Sequence, residues 1–122
     1  MATVADFISV LRNSSPQVHI FHNQTRVYSE HIALGGYYDD VLDIIDRLTE
    51  TYKALYGEIE GYTSMPYKDY TNNQDTVNYF RALYQYVESN RELFRDRFFQ
   101  AILDELSELI NQTIYRLNLN QY

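Results

Sequence analysis

Residues 31–57 read His31-Ile-Ala-Leu-Gly-Gly-Tyr-Tyr-Asp-Asp-Val-Leu-Asp-Ile-Ile-Asp-Arg-Leu-Thr-Glu-Thr-Tyr-Lys-Ala-Leu-Tyr-Gly57, and their spacing decides the fold. Leu34, Tyr38, Val41, Ile45, Leu48, Tyr52 and Leu55 follow one another in alternating steps of four and three. That is the period of an amphipathic α-helix, not the period of two of a half-buried strand. The pattern predicts one long helix from Ser29 to Tyr56 whose apolar stripe faces a core.

Working outward, punctuation is sparse: the whole chain of 122 residues holds four Gly and two Pro. Before the long helix, Val4, Phe7, Ile8 and Leu11 recur at helical spacing, and the stripe resumes at Val18 and Phe21. Pro16 therefore either kinks one helix or starts a second with Ser15 as its cap. After it, Gly57, Gly61, Pro66 and the run Thr71-Asn72-Asn73-Gln74 mark a long loop over residues 57–74, and connections of that length are uncommon in a compact domain. Asp75 reads as the N-cap of a third helix carrying Val77, Phe80, Leu83, Tyr84 and Val87. A fourth, from Arg95 to Leu117, turns Phe98, Phe99, Ile102, Leu106, Leu109, Thr113 and Leu117 inward, and residues 117–122 read as a frayed tail. The expected architecture is an all-α, antiparallel four-helix bundle in one domain, 1–122, with the long crossover between helices two and three that ferritin-like bundles use.

Composition narrows the chemistry. Cysteine is absent, so neither disulfides nor thiolate metal sites contribute. The net charge of −7 argues against sequence-independent binding of nucleic acid, which needs clustered cations. No apolar run is long enough to span a bilayer and no leader is evident near Met1, so a soluble, cytoplasmic protein is expected. There are 13 Tyr, 6 Phe and no Trp. The Tyr-rich stretch from Tyr52 to Tyr70 either packs over the bundle or stacks on a nucleobase. No P-loop, Gly-x-Gly-x-x-Gly, Gly-x-Ser-x-Gly or His-Glu-x-x-His occurs, which leaves metal chemistry as the enzymatic option.

At 100° per residue, Asp39, Asp43, Asp46 and Glu50 lie opposite the apolar stripe, and His31 projects along one side of the same helix with Asp46 and Glu50. A charge stripe opposite a core stripe is ordinarily a solvated face. The alternative is a metal site for iron, manganese or zinc that a second subunit completes, because the carboxylates point away from this chain's own core. His19 and His22 sit at a helix end, where an imidazole can also cap carbonyls. Gly35-Gly36 inside a helix implies a close crossing, at a dimer seam or beside a ligand. Glu30 is expected to face elsewhere, and Asp104, Glu105 and Glu108 to be solvated.

These residues resemble the second helix of the Dps mini-ferritins. In that family a His is followed by a Tyr-Asp pair seven and eight residues later, an Asp at fifteen and a Glu at nineteen; Tyr38, Asp39, Asp46 and Glu50 stand at those places after His31. The upstream histidine is His19 by that family's spacing. It is His22 by resemblance of His22-Asn23-Gln24-Thr25 to the His-Trp-Gln-Thr of small ferritin-like proteins from tailed bacteriophages, which also end in a helix similar to Ile102-Leu103-Asp104-Glu105 through Tyr115-Arg116-Leu117. The resemblance implies a homodimer or higher homo-oligomer. It also implies a site for iron or another divalent metal between subunits, with His22, His31, Asp46 and Glu50 as ligands and His19 and Asp39 as secondary candidates, and ferroxidase activity. Gly35 departs from the pattern, standing where the family carries an acidic ligand. A basic N-terminal arm is missing, and the intrachain Glu-x-x-His arrangement is excluded because no histidine has Glu three residues before it. The other expectation is a non-catalytic helical protein whose acidic, Tyr-decorated face binds a host or phage protein.

Overall fold

A computed structural model describes residues 2–119, and the protein is all-helical, with no strand among the described residues. Helix α1 runs Val4–Gln24, α2 Tyr28–Tyr56, α3 Asn73–Ser89 and α4 Arg97–Asn118, with one 3-10 turn, Arg91–Leu93, before α4. No helix among the described residues is long and apolar enough to cross a membrane.

Pro16 does not divide the first segment, because α1 is continuous through it. Its start is fixed by a capping box: the Thr3 hydroxyl accepts from the Asp6 amide and the Asp6 carboxylate accepts from the Thr3 amide. The cap of α3 is Asn72, not Asp75. The Asn72 side chain accepts from the Asp75 amide, and Asp75 serves as the acidic residue of the first turn, where it meets the positive end of the helix dipole. α4 begins two residues later than its apolar period implied, because Asp96 is its N-cap and has an extended backbone.

Three pairs of helices make the main packing contacts: α1 with α2, α2 with α4, and α3 with α4. Side-chain pairs give the directions. Ser14 meets Tyr37 and His22 meets His31; Arg47 meets Glu105 and Tyr56 approaches Phe99; Asn73 reaches the Leu117 carbonyl and Glu88 meets Ser107. Each of these pairs is therefore antiparallel, and α2 runs parallel to α3. The core they enclose includes Phe7, Leu11, Leu34, Tyr37, Val41, Leu48, Phe80, Phe94, Leu103 and Ile110. Each such side chain contributes about 1.5–3 kcal/mol by burial.

The expected inward faces hold in part. Leu55 and Phe98 are about half exposed (52% and 48%), whereas Tyr37 is buried completely. The Ser14 hydroxyl donates to the Leu11 carbonyl, so Tyr37 must donate to Ser14. Leu117, read from sequence as the start of a frayed tail, is buried within α4; residues 120–122 of that tail lie outside the described residues.

The crossover after α2 is a strap laid along α1, not a free loop. The Thr63 amide donates to Ser9, Asn13 donates to the Met65 carbonyl, Gln17 grips both the amide and the carbonyl of Lys68, and the Gln24 side chain accepts from the Tyr70 amide. Two extended residues advance about 6.6 Å and four helical residues about 6 Å. An extended chain therefore stays in step with helix positions four apart, as Thr63 and Met65 do over Ser9 and Asn13, and the next step, to Lys68 over Gln17, takes three strap residues. Ser9 and Gln17 are themselves buried, and the strap backbone satisfies them. This arrangement joins parallel helices α2 and α3 from opposite ends of the molecule.

Candidate metal site

His22 lies in the last turn of α1 and His31 in the first turn of α2, and the antiparallel packing brings them face to face. Each imidazole uses Nδ1 to reach the other residue's main chain: His22 to the His31 carbonyl at 2.6 Å, and His31 to the His22 carbonyl at 2.8 Å. A carbonyl only accepts, so both Nδ1 atoms carry the hydrogen. In the neutral rings Nε2 is then the atom with a free lone pair. The His22 carbonyl belongs to the last turn of α1, whose oxygens have no helical donor, so His31 also caps that helix.

The rings stack with centroids 3.7 Å apart and planes 18° from parallel. They form the centre of a column in which Tyr38 stacks on His19 at 4.2 Å, His19 on His22 at 5.8 Å, and His31 on Tyr28 at 6.3 Å. Gly35 makes room for this column. A Cβ at Gly35 would meet His22 Cε1 at 3.0 Å, whereas one at Gly36 would meet nothing within 4 Å. The close crossing expected of the two glycines is thus made by Gly35 alone, within the chain, against a histidine ring.

The carboxylates occupy another part of α2. Asp39, Asp43, Asp46 and Glu50 are all exposed on its outer face, together with Tyr28, Ile32 and Leu42. Asp46 and Glu50 follow His31 by fifteen and nineteen positions, a rise of roughly 22 and 28 Å. One chain therefore brings His19, His22 and His31 together but not with Asp46 and Glu50. Among the described residues no group of three His, Cys, Asp or Glu side chains could hold a metal ion. Of the other acidic residues expected to be solvated, Glu105 takes a bidentate ion pair with Arg47 and Asp104 pairs with Arg91, both remaining largely exposed.

The donor chemistry fits a divalent transition metal, since imidazole Nε2 oriented through Nδ1 is the usual form of a histidine ligand. The stacking sets a limit. Metal–nitrogen bonds of about 2.0–2.1 Å lie in the ring plane, so two rings 3.7 Å apart and nearly parallel cannot both aim at one ion. An ion held here would take one imidazole only.

Sequence reasoning missed the buried carboxylate. Glu30 is 2% exposed and accepts hydrogen bonds from Thr25 Oγ1, Tyr70 OH and Asn73 Nδ2. It ties the α1–α2 turn to the end of the strap and the start of α3, and Asn73 carries the link on to the Leu117 carbonyl of α4. Burial, and next the bond to Glu30, raise the Tyr70 phenol above its ordinary value. The signal was present: Glu30 precedes Leu34, Tyr37 and Val41 by four, seven and eleven positions, which is core register.

The profile of a family described as a family of unknown function, DUF5856, matches residues 22–117. No curated protein and no solved structure matches.

Proposed function

The chain belongs to the DUF5856 family, a family of unknown function, and we propose that it is a ferritin-like, Dps-related protein of the kind tailed bacteriophages encode, binding iron or another divalent metal between two copies of itself. The topology supports the scaffold: α1–α2 and α3–α4 are antiparallel pairs joined through parallel α2 and α3 by one long crossover, the connectivity of ferritin-like bundles. The observation that carries the site is the reciprocal fixing of His22 and His31 through Nδ1, which orients both rings with Nε2 as the remaining donor. Asp46 and Glu50 come from the partner. When two α2 helices pair antiparallel about a twofold axis beside Tyr38 and Asp39, the histidine end of each meets the Asp46–Glu50 end of the other. A metal bound here would supply Lewis acidity and, if it is ferrous iron, would be the substrate of a ferroxidase-like reaction in which an external oxidant such as dioxygen takes up the electron. The chain's own residues hold it: imidazoles on one side, carboxylates on the other, one histidine per ion. Gly35 leaves no acidic ligand beside His31, and the His22 ring stands in that space instead.

The test is calorimetry with ferrous or zinc ions on the wild type and on the double variant Asp46→Ala, Glu50→Ala. Stoichiometric binding lost in the double variant supports the site; unchanged binding ends it.

One observation favours a second reading. The same Nδ1 bonds give His22 and His31 a purely structural task, and the acidic face of α2 also exposes Tyr28, Ile32 and Leu42. In that case the protein is a non-catalytic interaction module for a host or phage protein. Elemental analysis of the native protein separates the two, because the second predicts no stoichiometric metal.

A further inference from the structure

Further along the same α1–α2 groove, toward the start of α1, the strap, α1 and α2 line an open cavity of about 440 Å³, with Ser15 four and seven positions before His19 and His22 on one helix face. Its floor is Ser15, only 3% exposed, and the Ser15 hydroxyl has no hydrogen-bond partner among the described residues. Beside it Pro16 has no N–H, so the Arg12 carbonyl lacks its helical i+4 donor. The walls mix apolar and aromatic side chains, Leu42 of α2 and Tyr62 and Tyr67 of the strap, with the polar Asn13, Thr63 and Ser64. Two charges stand at the rim. The Arg12 guanidinium lies 5.6 Å from the centre of the Tyr62 ring and makes no ion pair among the described residues. Asp46 is the acid.

We propose that this cavity binds a free nucleobase or nucleoside. The size falls within the usual range for small-ligand sites of about 300–1,000 Å³, which combine apolar walls with a few placed polar groups. A planar heteroaromatic ring suits the tyrosine faces and the guanidinium. Its edge N–H groups are matched by Asp46 and the Arg12 carbonyl, and its ring nitrogens or carbonyls by the Ser15 hydroxyl. A phosphorylated ligand is disfavoured, because one arginine faces one carboxylate here. The inference goes beyond the metal reading and shares only Asp46 with it.

The experiment is a titration of the full chain, in EDTA, with guanosine, adenosine, cytidine and uridine, followed by amide chemical shifts, with ribose and inorganic phosphate as controls. The expected result is saturable binding of at least one nucleoside with Kd of about 1 mM or tighter, with shifts centred on residues 12–16 and 62–67. Ser15→Val and Tyr62→Ala should each weaken it by about fivefold or more, the equivalent of one hydrogen bond or one stacked ring. Tyr62 is on the strap surface, so its variant keeps the test valid if Ser15→Val fails to fold. Absence of saturable binding by all four nucleosides, binding by ribose or phosphate alone, or equal affinity in Tyr62→Ala would overturn the proposal. Glu50→Ala, which lies outside the cavity, should leave nucleoside binding unchanged, so loss of the metal site and loss of this one are separable.

Discussion

The two ends of the molecule are closed by different physics. At the end where α1 meets α2, polar groups do the work: the histidine clasp, and Glu30 holding Thr25, Tyr70 and Asn73. At the opposite end, rings do it. Phe94 packs on Phe7, Tyr52 and Phe99, and Phe7 stacks on Tyr86. The aromatic end gains from area and tolerates reshaping, whereas the polar end depends on every donor finding its acceptor, so damage there is sharper and more specific.

Alkali should distinguish the ends most strongly. Burial pushes the phenols of Tyr37 and Tyr79 far above their ordinary value of 10.0, and Tyr79 packs edge-on to Phe21 near the polar end. Because the folded pKa values are raised, the native state is favoured fully below pH 10 and loses that advantage as pH rises. Each such phenol costs about 1.4 kcal/mol per pH unit above the ordinary value. Absorbance at alkaline pH should show these two ionising only together with loss of helical circular dichroism; ionisation in the intact helix would contradict the assigned burial.

Next come truncations at each end. Phe94→Ala should cost about 3–5 kcal/mol in urea unfolding, and Glu30→Ala about 2–3 kcal/mol through the donors it orphans. Glu30→Gln should recover part of the second loss, while no polar residue at position 94 should recover the first. The neighbouring glycines give a smaller and opposite pair of effects. Gly36→Ala, with open space around its Cβ, should stabilise α2 by about 0.5–1 kcal/mol, and Gly35→Ala should not, since its Cβ meets the His22 ring at 3.0 Å. Equal gains in thermal denaturation would mean that the ring moves aside freely. The smallest effect is expected from acid at the aromatic end. The hydrogen bond from Arg91, then that from Ser107, holds Glu88 below its ordinary 4.5. Its contribution is therefore present above that value and fades as pH falls below it, and solvent screening keeps it small. Arg91→Gln should flatten that part of the acid-stability curve.

How much was legible in the sequence follows the same division. The apolar period of residues 34–48 located α2 within one residue at its start, and the four helices followed from similar stripes. What escaped was written in polar residues whose partners are distant. Ser9, Asn13 and Gln17 look like an ordinary solvated face until the strap, some fifty positions away, lies down on them. Glu30 adjoins His31 and reads as facing elsewhere, although its register with Leu34 and Tyr37 places it inside. Asn72 took the cap from Asp75 because both are good capping residues and sequence alone does not rank their geometry. In the candidate site, the spacing of His31, Asp46 and Glu50 along α2 was readable, but the stacking of His22 on His31 and its dependence on Gly35 required coordinates.

The central claim is that an imidazole from one copy and carboxylates from the other meet at one metal, and complementation tests it directly. A chain carrying His22→Ala and His31→Ala would be co-expressed with one carrying Asp46→Ala and Glu50→Ala, and the mixed dimer isolated with two different tags. Each variant alone should bind no metal by calorimetry, and the mixed dimer should recover half the stoichiometry of the wild type, because one of its two seams is intact. A mixed dimer as empty as its parents, or a wild-type protein that stays monomeric at every metal concentration, would contradict it.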